Sequence, residues 1–185
     1  MQVKGTAVLT IPLFIKERFG EQGFQRWLES LSPPVHKTFS SNILAPVWYP
    51  LEEGLIEPTV KLCELFYQGR MDGALEQGRF SAEHGLKGVY KLFVKLASPD
   101  ALVAKASTIM PTYYEPCAME VVDKGQKTAT VRITRFATPH TVVEHRIKGW
   151  MERALEISGA KMVKIEIKAS MTNGSPYTDF VVSWS

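Results

Sequence analysis

Residues 139–145, Pro-His-Thr-Val-Val-Glu-His, place two of the chain's four histidines and a glutamate side by side, the composition of a partial metal site. Two histidines that share zinc on one helix stand at i, i+4, because at about 100° per residue they then occupy one face. His140 and His145 are i, i+5 and diverge by roughly 140°. Thr138-Pro139 is moreover a helix-start signal, which puts His140 in or just before the first turn and Glu144 near the positive end of the helix dipole. The stretch reads as an exposed helix start, and no metal is expected there.

Other reactive residues are equally isolated. The sequence has no GxSxG, no HExxH, no P-loop and no GxGxxG followed by a helix, and Cys117 has no histidine near it. No residue is assigned a catalytic role, and the chain is expected not to be an enzyme. Cys63 and Cys117 show no CxxC spacing and read as reduced thiols in a core. His84, at the start of a glycine-rich helix, is the histidine placed to point into a helix bundle and ligate a cofactor such as haem; its plainer reading is a polar first-turn residue. Trp48, Tyr49, Tyr90, Tyr113, Tyr114, Phe136 and Trp150 flank a junction between helices and sheet, where an apolar pocket with a few polar tips could form. With His84 they make up the candidate ligand-binding set, although the same aromatics also suit plain core.

Composition limits the function classes. The 185 residues, 45% hydrophobic, suffice for one domain over 1–185 with a real core. A net charge of +3, from 22 basic and 19 acidic residues mixed along the chain, lacks the basic stripe of a nucleic-acid binder. Neither a signal peptide nor an 18-residue apolar run is present, so the expectation is a cytoplasmic protein without a membrane span.

The elements that must position these residues change character near Pro111. Before it the periodicity is helical. A short strand over 3–7 precedes a helix with Pro12 in its first turn and Gly20 as its stop, and Phe24, Trp27, Leu28 and Leu31 continue at helical spacing. The prolines at 33, 34, 46 and 50 predict irregular chain over 32–50. Pro58 opens a helix closed by Gly69, Asp72 opens another to about Phe80, and Ser81 reads as the N-cap of a further helix over 82–97. On that helix Leu86, Val89, Phe93 and Leu96 form one face, and Lys87, Lys91 and Lys95 a solvated one. Gly78, Gly85 and Gly88 cost helix propensity, which points to close approach of another backbone or a ligand. Asp100 begins one more helix.

Beyond Pro111 the pattern is ββαββ. Cys117, Met119 and Val121 alternate with polar or small residues, Asp123-Lys124-Gly125 makes a turn, and Ala129, Val131 and Ile133 alternate with Thr128, Thr130, Arg132 and Thr134. A helix over 140–158, capped by Gly159, lays Val143, Ile147, Trp150, Ala154 and Ile157 across the sheet, with Glu144, Lys148, Glu152 and Glu156 on its other sides. Val163, Ile165 and Ile167 then lead through Asn173-Gly174 into Phe180, Val182 and Trp184. The expected fold class is α+β: a helical part over about 8–111 packed on a four-stranded antiparallel ββαββ sheet over about 112–185.

The last 36 residues before Ser185, GWMERALEISGAKMVKIEIKASMTNGSPYTDFVVSW, resemble the closing helix-strand-hairpin-strand of vinyl-reductase-type small-molecule-binding domains and of an uncharacterised, myxobacterial-type family of similar length. MDGALEQGRFSAEHGL and LFVKLASPDALVAKAS are similar to the middle of that second family. The resemblance implies a fold shared with haem-nitric-oxide/oxygen-binding (H-NOX) domains and transport-particle (TRAPP) subunits, in which helices on a four-stranded sheet frame a hydrophobic cavity. It also implies frequent dimers and roles in sensing, binding or assembly. The H-NOX proximal histidine, which lies in the helix before the hairpin, has no counterpart over 100–110. The H-NOX Tyr-x-Ser-x-Arg falls on Arg132-Ile133-Thr134-Arg135-Phe136, which keeps only a hydroxyl. The cysteine cluster of some vinyl-reductase-type domains is missing too.

These readings combine into a non-catalytic, cytoplasmic sensor or binding domain for a small hydrophobic or aromatic ligand, in signalling through a protein partner. It is expected to be a homodimer and to need no cofactor, with haem disfavoured. The alternatives are a dimeric interaction or scaffold protein of the TRAPP kind and a haem-binding gas sensor acting through His84.

Overall fold

A computed structural model of the chain describes residues 1–85 and 98–185. Tyr90, the lysine row and the greater part of the helix expected over 82–97 lie outside the described residues.

Val3 does sit in a strand, but a shorter one than the sequence predicts. β1 (Gln2–Lys4) ends where Gly5 opens α1 (Gly5–Val8). The chain must turn there against a neighbouring backbone: a Cβ on Gly5 would lie 2.1 Å from the Leu44 carbonyl oxygen. β1 is the centre of a small antiparallel sheet, ordered β2-β1-β3, with β2 (Trp48–Pro50) and β3 (Tyr114–Glu115) on its edges. That sheet, and a helix α3 (Pro33–Ser40), replace the irregular chain expected over 32–50. Proline is harmless in both places, in a first helical turn and at the end of an edge strand.

α2 (Thr10–Glu29) is broken at Gly20, whose φ of 68° marks the expected stop. Phe24, Trp27 and Leu28 are buried beyond it, and the Trp27 Nε1–H donates to the Pro58 carbonyl at 2.9 Å. α4 (Glu57–Tyr67) closes at Gln68 and Gly69, both at positive φ. α5 (Asp72–Gly85) runs straight through Ser81, which is therefore no N-cap: its side chain is buried inside the helix interface. α6 (Pro99–Ala104), capped by Ser98 Oγ on the Ala101 N–H, and α7 (Ala106–Ile109) lead into a 3₁₀ turn, Met110–Thr112, that ends this stretch at Pro111 as expected.

The C-terminal ββαββ pattern is confirmed. β4 (Cys117–Gly125), β5 (Thr128–Phe136), β6 (Lys164–Ala169) and β7 (Thr178–Ser183) form a four-stranded antiparallel sheet, ordered β4-β5-β7-β6. Gly125 pairs with Thr128, so the hairpin turn falls on residues 126 and 127, with Lys127 at φ 57°, rather than on 123–125. Bulges between Ala118 and Met119 and between Val121 and Asp123 break the alternation of β4. As a result Met119 is buried while Cys117 and Val121 are only half-buried.

α8 (Thr141–Ile157) holds the two halves together. Val143, Ile147, Trp150 and Ala154 are buried with Ala129, Val131, Ile133, Ile165, Phe180 and Val182 of the sheet. Against α5 it packs backbone to backbone. A Cβ on Gly78 would meet the Arg146 carbonyl oxygen at 2.1 Å, and one on Gly149 would meet the Leu75 carbonyl oxygen at 2.0 Å. The close approach expected from Gly78 is thus to another helix. Arg79 ties the outer edge of the pair to Glu152 and Glu156 at 3.2 and 2.8 Å.

Candidate functional site: a buried arginine at the helix-sheet junction

Both histidines bond to the backbone at the start of α8. His140 is the N-cap of α8, its Nδ1 accepting from the Val142 N–H at 3.2 Å, and the His145 Nδ1–H donates to the Thr141 carbonyl at 3.0 Å. Glu144 departs from the exposed helix start that the sequence predicts. It is 6% exposed, because the β6–β7 connection folds over the first turn of α8. Its carboxylate accepts from Ser170 Oγ at 2.8 and 2.9 Å, Thr178 Oγ1 at 2.7 Å and Thr172 Oγ1 at 3.3 Å. Among the described residues, no group of three or more His, Cys, Asp or Glu is placed to hold a metal ion.

Two residues further on, Arg146 turns the other way, into the interface with α5 and α2. Sequence analysis does not single it out, yet it is among the largest fully enclosed side chains, 2% exposed. Its Nε donates to Gln77 Oε1, and its Nη2 donates to the Ala7 carbonyl at 2.8 Å, to Thr10 Oγ1 at 3.2 Å and to Ser81 Oγ at 3.4 Å. Gln77 Nε2 and the Thr10 hydroxyl complete the cluster, donating to Thr10 Oγ1 at 3.0 Å and to the Ala7 carbonyl at 2.7 Å. Every acceptor is neutral. Burial pulls the Arg146 pKa down while the nearby Tyr114 and Tyr113 phenols push it back, and an arginine stays charged through such opposing effects. Burial likewise lifts the Tyr114 phenol above the ordinary tyrosine value, so at pH 7 it is no counterion. These hydrogen bonds engage Nε and Nη2, and they leave the charge without the opposite charge that usually accompanies burial.

Two small cavities adjoin this centre. One, of about 10 Å³, is lined by Ala7, Ser81, Met110, Tyr113, Tyr114, Arg146, Ile147 and Trp150. The other, of about 30 Å³, is wholly apolar and includes Leu102, Val103, Ile109, Met119 and Leu155, and Met110 and Trp150 belong to both walls. Trp150 is 8% exposed, and its Nε1–H finds no hydrogen-bond partner among the described residues.

The structure brings together part of the aromatic set. The Tyr113 ring lies 5.7 Å from that of Trp150, and Tyr114 lies 5.5 Å from Phe136. Trp48 and Tyr49 belong to β2: Trp48 lies under Lys4 Nζ at 4.5 Å, and the Tyr49 hydroxyl accepts from the Leu44 N–H at 2.9 Å. His84 stands in the last turn of α5 and stacks on Phe80 at 4.6 Å, on the side where Phe80 meets Phe14 of α2. Neither β2 residue, nor His84, lines the two junction cavities. A signal for the missed residues does exist in the sequence. Gln77 and Ser81 are i, i+4 beside Gly78, and Arg146 is three residues before Gly149, so polar side chains flank the glycines that let the helices close.

No protein-family model and no curated protein matches the sequence. Solved structures do match its fold over nearly the whole chain. An H-NOX protein from S. oneidensis in the Fe(II)NO ligation state is 15% identical, with a TM-score of 0.73 over 98% of this chain and 99% of the other. A triple mutant of an S. oneidensis H-NOX protein in the Fe(II) state is 14% identical, with a TM-score of 0.77 over 98% and 96%. An Fe(II) unliganded H-NOX protein from K. algicida is 11% identical, with a TM-score of 0.72 over the same shares. The chain therefore has an H-NOX-like fold.

These structures correct the expectation that the chain needs no cofactor. The proteins that share its fold are described by the state of a ferrous iron, so haem is the cofactor to which this fold points. The side chains do not reproduce a histidine-held haem site. The sequence has no histidine between His84 and His140, and the donors that line the junction cavities or adjoin them are the thioethers of Met110 and Met119 and the phenols of Tyr113 and Tyr114. The two junction cavities, of about 10 and 30 Å³, hold roughly one or two waters each, against roughly 300 Å³ or more for a typical cofactor site.

Proposed function

We propose that this chain is a sensor domain that takes a small ligand at the junction of α5, α8 and the four-stranded sheet, and reports its presence through the packing of α8. The observation that carries this reading is the enclosed, uncompensated Arg146 beside the unpartnered Trp150 N–H, in a fold shared with H-NOX proteins. A buried charge without its opposite and an unpaired N–H inside an apolar core are features of binding sites, since a core built for stability alone favours fully paired groups. α8 suits a reporting role because its two faces touch both halves of the molecule. A ligand wedged beside Trp150 bears on α5 and on the sheet at once. The ligand class is small and largely apolar, in keeping with the Met110, Met119 and Leu155 lining. The reading places the domain in signalling on the cytoplasmic side; among the described residues no helix is long and apolar enough to cross a membrane.

The test is a thermal-shift screen of the purified protein against a small-molecule library, with an absorption spectrum before and after addition of haemin. A ligand present at about 100 times its Kd stabilises the native state by about 2.7 kcal/mol, which raises Tm by about 5–10 °C for a chain of this size. Failure of every compound to move Tm, haemin included, would sink the sensor reading and favour an interaction protein with a filled core. The full-length match to ferrous H-NOX proteins favours a second reading, a haem-based gas sensor. Its mark is a stoichiometric Soret band that shifts with carbon monoxide.

A further inference from the structure

Beyond the presence of a ligand site, the junction specifies a charge. Arg146 is enclosed with neutral acceptors and two phenols around it, and no carboxylate of the described residues comes within ion-pair distance. The segment outside the described residues, 86–97, contains neither Asp nor Glu in its sequence, so it supplies no counterion either. Trp150 adds a second buried donor on the same wall. Next to these donors lies the apolar chamber of Leu102, Val103, Ile109 and Leu155. Met110 and Trp150 line both spaces, and methionine is the side chain that most readily rearranges to join them.

We infer that the junction binds a small carboxylate with a short apolar body, the carboxylate lying between the Arg146 guanidinium and the Trp150 N–H and the body in the apolar chamber. The inference rests on the ligand reading above and names the chemistry of that ligand. A carboxylate supplies the missing negative charge and accepts from both donors, whereas a neutral amide or alcohol supplies acceptors without the charge. A phosphate dianion suits the site less, because one guanidinium in so small a space leaves half its charge uncompensated.

The experiment compares butyrate with butyramide at constant ionic strength, by thermal shift and calorimetric titration, on the native sequence, Trp150→Phe and Arg146→Met. Butyrate is expected to stabilise the native protein and butyramide to have no comparable effect. Trp150→Phe keeps an aromatic ring while removing the donor, and is expected to weaken butyrate about five- to tenfold. Arg146→Met is expected to abolish butyrate binding; should that variant not fold, the phenylalanine variant decides. Equal effects of butyrate and butyramide, or equal butyrate affinity with and without the indole N–H, overturn the inference. Neutral apolar compounds that stabilise the protein where butyrate does not would remove the inference and leave the sensor reading standing, whereas a protein that nothing stabilises loses both.

Discussion

Arg146 and Glu144 sit two residues apart on α8, and both are buried charges held by neutral partners rather than by each other. Glu144 draws the hydroxyls of Ser170, Thr172 and Thr178 onto the start of the helix. Glu144→Gln places amide donors among hydroxyl donors, and is expected to cost about 1–3 kcal/mol in urea unfolding with an unchanged m-value; a change below about 0.5 kcal/mol would show that the carboxylate is not needed there. Burial also pushes the Cys63 thiol up from 9.0 to about 11. A raised folded-state pKa means that its contribution to stability is present below pH 9 and is lost as pH climbs toward 11. Removing the thiol with Cys63→Ala is therefore expected to flatten part of the alkaline loss of stability in that window, and native Cys63 is expected to resist thiol reagents at pH 8. At this scale the sequence was legible where a local start signal decides, as with Thr138-Pro139, after which His140 is the N-cap of α8. It was not legible for Glu144 and Arg146, because a charged residue in an amphipathic helix ordinarily belongs to the solvated side and only the tertiary partners reveal otherwise.

At the scale of elements, the α5–α8 contact depends on the absence of two side chains. Gly78→Ala and Gly149→Ala each drive a methyl group into the backbone of the opposing helix, where nothing flexible can yield. Each is expected to destabilise by at least about 1–3 kcal/mol despite the better helix propensity of alanine, as read by urea midpoint. A stabilising effect would mean that the helices are farther apart than described. The glycines announced this contact in the sequence, and the alternation of β5, β6 and β7 announced the main sheet. The small sheet could not be read that way: β1, β2 and β3 have three, three and two residues, too few to show a period. The two bulges of β4 similarly hid which of its residues turn inward.

At the scale of the molecule, α8 packs on α5 with one side and on the sheet with the other, so neither half keeps its core without it. The chain is accordingly expected to unfold as one unit, with calorimetric and van't Hoff enthalpies in agreement; two resolved transitions would separate the helical part from the ββαββ part. The same shared helix makes the junction the place where a ligand can influence the whole. Aromatic clustering pointed to this junction from the sequence, but of the aromatics named for it Trp48 and Tyr49 pack elsewhere and Tyr90 lies outside the described residues, and its central arginine went unseen. The most direct measurement follows the four tryptophan indole N–H signals by ¹⁵N NMR, with Trp150 assigned through Trp150→Phe, while the compound giving the largest thermal shift is added. The Trp150 signal is expected to move, with those of Trp48 and Trp184 nearly still. A ligand that stabilises the protein yet leaves Trp150 unmoved would place the site elsewhere and contradict the role given to the junction.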